Sequence, residues 1–196
     1  HTTSGIRTET SDVWAFQTSP YEQERFDRTC TVLAHVAGEC APTSILEIGA
    51  CEGAMTRRLR TLFPSSRISA VEANPVFLRR LRECLKDDPN TDIVQASVLE
   101  VSLMADLVLL AEVLYHVPEH IIDILPRVRA KYLLTSHYTN FDESVSRLLR
   151  SLGWHTIVAM QVAPRFEPVD GRTSCFLTRR PGTQIKLWRL AQSTSI

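Results

Sequence analysis

The chain has 196 residues, enough for one domain with a sizeable core. Its 22 basic and 22 acidic side chains cancel, which removes any general electrostatic pull toward nucleic acid or a membrane surface. Five scattered cysteines without a C-x-x-C pair argue against a zinc knuckle or a disulfide framework, and no apolar run is long enough to span a bilayer.

Residues 1–12 are polar and aperiodic and read as a flexible N-terminus. Val13-Trp14-Ala15-Phe16 is the first apolar cluster. Ser19 as N-cap and Pro20 at the first helical position predict a helix to about Ala37, with Tyr21, Phe26, Cys30, Leu33 and Ala37 on its apolar side and Gly38 closing it. Residues 13–38 read as a helical lid on the domain that follows. From Ser44 strands and helices alternate. Strands are expected at Ile45–Ile48, Arg67–Glu72, Ile93–Ala96, Asp106–Ala111 and Lys131–Thr135. Helices are expected at Ala54–Leu62, Pro75–Leu85, Glu119–Val128 and Asp142–Ser151. Two last strands, Trp154–Val162 and Ser174–Arg179, have no helix between them and should pair antiparallel at one edge. The expected architecture is α/β: a doubly wound, Rossmann-like sheet, mostly parallel, within residues 13–180. Residues 181–196 read as a weakly held tail, with Ile185, Leu187 and Trp188 able to dock on the surface.

The segment Glu47-Ile48-Gly49-Ala50-Cys51-Glu52-Gly53 joins the first strand to the first helix after it. A glycine turn there brings backbone close to a small ligand. Dinucleotide enzymes use G-x-G-x-x-G, but counting from Gly49 those places hold Gly49, Cys51 and Ala54. An acid at the strand end repels pyrophosphate and suits a cationic ammonium, so Glu47 points to an amino-acid-bearing nucleoside such as S-adenosylmethionine. Glu72 lies 23 positions beyond Gly49 at the end of the second strand, where an acid can accept both ribose hydroxyls.

These motifs, with Val71-Glu72-Ala73-Asn74-Pro75, resemble the first two motifs of class I S-adenosylmethionine-dependent methyltransferases. Ala111-Glu112-Val113-Leu114-Tyr115-His116-Val117 and Ser19-Pro20-Tyr21-Glu22-Gln23-Glu24-Arg25-Phe26 are similar to the nodulation-protein-S branch, whose members methylate amino sugars of lipochitooligosaccharides or serve other bacterial pathways. The resemblance covers about residues 12–180. It implies that Gly49, Ala50 and Gly53 line the methionine part of the cofactor. It implies that Glu72, with Ala73 and Asn74, holds the ribose, and that Ser97-Val98 flank the adenine. Ser97 stands where an acid is usual, and Cys51 where a middle glycine is frequent.

Ligands of such sheets bind beyond the carboxyl ends of the strands. That brings Glu112 and His116 after the fourth strand, His137 after the fifth, and Tyr21 and Glu22 on the N-terminal helix into view. Glu112 would face the methyl donor and orient the acceptor or take its proton; His116 and His137 are further candidate bases. Trp14, Tyr21, Glu22, Arg25 and Tyr115 are candidate acceptor contacts. The expected activity is methyl transfer to an amine or hydroxyl of a small molecule, an amino sugar or natural-product intermediate foremost. An O-methyltransferase of secondary metabolism, an NAD-dependent oxidoreductase and a non-catalytic S-adenosylmethionine-binding module are the rivals. No metal, nucleic acid or membrane partner is expected, and a cytoplasmic monomer or homodimer fits the composition.

Overall fold

Ser19 and Pro20 set the first boundary. The Ser19 hydroxyl accepts the N–H of Glu22 at 3.1 Å, and the helix α1 (Pro20–Glu39) starts on the proline. The computed structural model describes residue 12, residues 14–168 and residues 177–191, with Glu39 described in its backbone alone. Residues 1–11 of the expected flexible segment 1–12, Val13, Gly171, the first residues of the expected strand 174–179 and residues 192–196 lie outside the described residues.

The elements continue as β1 (Ser44–Ile48), α2 (Ala54–Leu62), β2 (Arg67–Val71), α3 (Pro75–Cys84), β3 (Thr91–Val94), β4 (Leu107–Ala111), α4 (Ile121–Ile124), β5 (Tyr132–Tyr138), α5 (Asp142–Ser151), β6 (Trp154–Val162), β7 (Arg165–Pro168), β8 (Leu177–Arg180) and β9 (Thr183–Leu190). Seven strands form one sheet in the order β3-β2-β1-β4-β5-β9-β6. β1 to β5 run parallel, while β9 is antiparallel to both β5 and β6. The strand order reverses between β1 and β4, which opens a crevice at their carboxyl ends.

Both faces of the sheet are covered, so β4 is a continuous apolar run with Leu107 to Leu110 fully buried. Leu107 and Leu109 pack with Phe26, Leu33 and Leu59 under α1 and α2. Val108 and Leu110 pack with Ile124, Val145 and Leu149 under α4 and α5. α1 therefore lies on the sheet, against β6, β9 and α2, where a lid over residues 13–38 was expected. The N-terminal end of α1 alone reaches the crevice.

Three other expectations are corrected. The segment 181–191 is not a loose tail: β9 is inserted between β5 and β6, and Ile185, Leu187 and Trp188 are fully buried. Polar residues of the strand have internal partners as well; Lys186 donates to Asp142 at 2.5 Å and to Ser146 at 2.9 Å. β8 does not pair with β6. It pairs with β7 in a separate two-stranded sheet, and β9 takes the place beside β6. Finally, residues 118–127 do not make one helix. Two 3-10 turns flank α4; Pro126 lies inside the expected helix Glu119–Val128 and has no N–H for its ladder, which ends the α-helix before it.

Candidate functional site

A cavity of about 730 Å³ opens at the crevice. Its walls come from the β1–α2 turn, the ends of β2, β4 and β5, the loop after β3, the N-terminal end of α1 and the end of β8.

The β1–α2 turn is built from three left-handed residues: Gly49 (φ +75), Cys51 (φ +50) and Gly53 (φ +85). The N–H groups of Gly49 and Ala50 both donate to the Val71 carbonyl, which folds the turn over the end of β2. A Cβ on Gly49 would stand 2.8 Å from Val113 Cγ2, so glycine here permits the close approach of the loop after β4. Gly53 does not line the cavity. A Cβ there would meet Leu81 at 3.0 Å and Cys84 at 3.2 Å, so its part is to seat the start of α2 against α3. Cys51 adopts a conformation that L residues rarely take. Burial raises its thiol pKa far above the ordinary range, and the Glu72 charge adds to this. It is an inert wall group.

Two acids face this part of the cavity. Glu72 accepts the N–H of Cys51 at 2.8 Å and that of Asn74 at 2.7 Å. Burial raises its pKa against those backbone donors. Glu47 is 3% exposed and accepts the Thr56 hydroxyl at 2.6 Å. Burial pushes its pKa up to about 7; the Thr56 bond opposes this and the Glu72 charge adds to it. Two buried acids and no opposing base among the described residues make a site suited to a ligand that carries its own cation and hydroxyls. Ala73, Asn74, Ser97 and Val98 line the same region. The Ser97 hydroxyl accepts the Leu99 N–H at 3.3 Å, while its own N–H donates to Glu100 at 2.8 Å.

The other wall is charged and aromatic. Arg25, buried on α1, donates to Glu22 at 2.9 Å. Arg180 donates to Glu167 at 2.6 Å and stands 3.6 Å from Glu22. Glu167 in turn accepts the Ser19 hydroxyl at 2.5 Å and the Tyr21 N–H at 3.2 Å, so the β7–β8 sheet grips the start of α1. The Tyr21 hydroxyl donates to the Pro181 carbonyl at 2.5 Å and bonds with Thr183, and burial raises its pKa to about 12. Tyr115 stacks on Tyr138 with centroids 4.3 Å apart. His116 lies beside Tyr115; burial lowers its pKa and the Glu112 charge opposes the shift. Trp14 and Phe16 also line the cavity, and the Trp14 side chain reaches Cys51 of the β1–α2 turn.

Glu112 follows β4 with φ +58 and lines the cavity. His137 does not. It is fully buried on the opposite face of β5 from Ser136 and Tyr138, bonded to Asp142 at 3.1 Å and edge-on to Phe141. Strand alternation gives the physical reason: adjacent residues point to opposite faces. The expected contacts Glu47, Gly49, Ala50, Glu72, Ala73, Asn74, Ser97, Val98, Glu112, Trp14, Tyr21, Glu22, Arg25, Tyr115 and His116 do come together around one cavity. Arg180 and Tyr138 were missed. Tyr138 has a period-2 signal, two residues past Ser136; Arg180 has none, since it arrives from a strand outside the main sheet. No cluster of potential metal ligands occurs among the described residues.

The family model for nodulation protein S (NodS) matches residues 6–131. Among solved structures, the N-methyltransferase NodS from Bradyrhizobium japonicum, determined with S-adenosyl-L-homocysteine, is similar with a TM-score of 0.72 and 18% identity over 94% of this chain and 95% of that one. A putative RNA methyltransferase from Pyrococcus horikoshii reaches 0.72 with 12% identity, covering 97% of this chain and 94% of that one. A precorrin-6y C5,15-methyltransferase from Geobacter metallireducens reaches 0.63 with 18% identity, covering 87% and 89%. At these identities the likeness speaks for the fold. No curated protein matches the chain.

Proposed function

The chain belongs to the nodulation protein S (NodS) family, and from that premise we propose a methyltransferase that uses S-adenosylmethionine to methylate an amine of a small molecule, an amino sugar foremost. The residues of the β1–α2 turn fit this cofactor. Glu47 would meet its ammonium group and Glu72 its ribose hydroxyls, while Val98 and the loop after β3 would cover the base. When bound, the cofactor supplies a methyl carbon activated by a positively charged sulfur.

One observation favours an amine over a hydroxyl acceptor. The two guanidiniums of the acceptor wall are already committed, Arg25 to Glu22 and Arg180 to Glu167. Among the described residues Glu112 makes no contact ion pair, and its charge acts on Arg25 only at longer range, which leaves its carboxylate open to a contact cation. A protonated amine would supply it. Glu112 would orient the nitrogen, and His116, kept neutral by burial near pH 7, would take the proton that must leave before or during transfer. Trp14, Phe16 and the Tyr115–Tyr138 stack would exclude water and align the acceptor.

The test is transfer of a tritiated methyl group from S-adenosylmethionine to matched amine and alcohol panels, with D-glucosamine among the amines. Label on amine nitrogen is expected. Label on hydroxyls alone would overturn the N-methyl reading in favour of O-methylation. Tight binding of S-adenosylhomocysteine without transfer would favour a non-catalytic binding module. The oxidoreductase alternative is disfavoured by Glu47, Cys51 and Ala54 in the turn, and a titration with NAD checks it. No helix among the described residues is long and apolar enough to cross a membrane. Action in the cytoplasm is part of the proposal and rests on the free thiols Cys30, Cys40, Cys51 and Cys84.

A further inference from the structure

Glu112 is held at both ends by one residue. Its N–H donates to the Ser136 carbonyl at 2.7 Å, and its carboxylate accepts the Ser136 hydroxyl at 2.5 Å. Ser136 is fully buried on β5, in register with Ala111 of β4. That hydroxyl is the one hydrogen-bond donor to the Glu112 carboxylate among the described residues.

The backbone explains why such a clamp is needed. Along β4, Leu107, Leu109 and Ala111 face α1 and α2, while Val108 and Leu110 face α4 and α5. Continued alternation would send the residue 112 side chain toward α4 and α5, away from Ser136. The left-handed φ of +58 turns it back into the cavity. L residues rarely adopt this conformation, and it persists where surrounding contacts over-determine it. The paired bonds to Ser136 are those contacts. The donor's chemistry matters as well. An arginine or lysine at this place would cancel the carboxylate's charge; a serine fixes one oxygen and leaves the charge for the ligand.

We propose that Ser136 is a positioning residue, which aims Glu112 at the acceptor amine without itself cancelling the carboxylate's charge. This rests on the reading of Glu112 as the acceptor's partner. Ser136 itself does not line the cavity.

The experiment is a double-mutant cycle on the full chain: wild type, Ser136→Ala, Glu112→Gln and the double variant. D-glucosamine is the acceptor probe, and S-adenosylhomocysteine binding is measured calorimetrically on each protein. Ser136→Ala is expected to lower kcat roughly ten- to hundredfold through misplacement of a single group, with cofactor-product affinity within about twofold of wild type, which certifies the fold. In the Glu112→Gln background the same change is expected to have no further effect, because the two residues act as a unit. Wild-type turnover in Ser136→Ala, or an equal fold-loss in both backgrounds, overturns the proposal. Wild-type turnover in Glu112→Gln sinks the reading of Glu112 itself. A wild-type protein that transfers no methyl to D-glucosamine overturns the amino-sugar reading and the proposal with it.

Discussion

The Thr56 hydroxyl, on the first turn of α2, donates to the Glu47 carboxylate at 2.6 Å and is the one hydrogen-bond donor to this buried acid among the described residues. Glu72 is better supplied, with two backbone N–H groups. The two acids therefore differ in how readily they carry charge, and Glu47 is the one that holds a proton near neutrality.

With Glu47 as the ammonium's partner, that asymmetry is expected to make cofactor binding pH-dependent. The Glu47 pKa in the ligand-free fold, about 7, lies above the usual value of 4.5. The folded state then binds the proton more tightly than the unfolded one, so Glu47 contributes stability at low pH that is lost as pH rises through 7. A ligand ammonium needs the ionised form. The affinity for S-adenosylhomocysteine is expected to rise about tenfold per pH unit up to about pH 7 and then level off. Titration calorimetry in two buffers of different ionisation enthalpy should record about one proton released at acid pH. Glu47→Gln should bind more weakly and flatten the profile. A flat profile in the wild type would remove the role of Glu47.

Glu72→Gln should weaken S-adenosylhomocysteine binding by roughly ten- to hundredfold, the worth of hydrogen bonds to a charged acceptor. It should leave the fold intact, since the amide oxygen still accepts one of the two backbone donors. An unaltered dissociation constant would exclude the ribose contact.

Gly49→Ala places a Cβ 2.8 Å from Val113 Cγ2 on a backbone with φ +75. The left-handed conformation costs about 1–2 kcal/mol, and overpacking adds about 1–3 kcal/mol. Adding Val113→Ala should restore the packing share and leave the backbone share. Urea unfolding of the two variants separates them; no recovery in the double variant would mean that Val113 is not the obstacle.

Trp188 is fully buried on β9, and its indole N–H donates to the Thr135 hydroxyl at 2.9 Å. Trp188→Ala is expected to cost about 3–5 kcal/mol. On a surface-docked tail the same change would stay within about 0.5 kcal/mol. Thermal or urea unfolding decides between the two.

Much of the frame was legible because its signals are local. Ser19-Pro20 starts α1, and α5 and β6 run where the residue pattern puts them. The meeting of Glu47, Gly49 and Glu72 at one cavity was legible for the same reason: they belong to two successive strand–turn–helix units. The last strand was not, because its pairing partners β5 and β6 lie far upstream and its polar residues find partners such as Asp142 only after folding. His137 and Ser136 illustrate a finer limit. Both lie near the end of β5, and one step of phase puts Ser136 against Glu112 and His137 against Asp142 on the other face. Gly53 was recognised as a turn glycine, but its close neighbours on α3 are invisible in a linear pattern. Arg180 reaches the cavity only through the β7–β8 sheet, which no periodicity announced.

The position of β9 also bears on how the chain is made. Synthesis delivers β6 before β9, yet β9 sits between β5 and β6. Until residues 183–190 have left the ribosome, the inner edge of β6 and the free edge of β5 stand open, without their hydrogen-bonding neighbour. Trp154–Val162 carries no Asp, Glu, Lys or Arg and so lacks the charges that usually guard such an edge. The nascent protein therefore passes through an interval in which these two uncharged strand edges are exposed, and the interval ends only when β9 slots in.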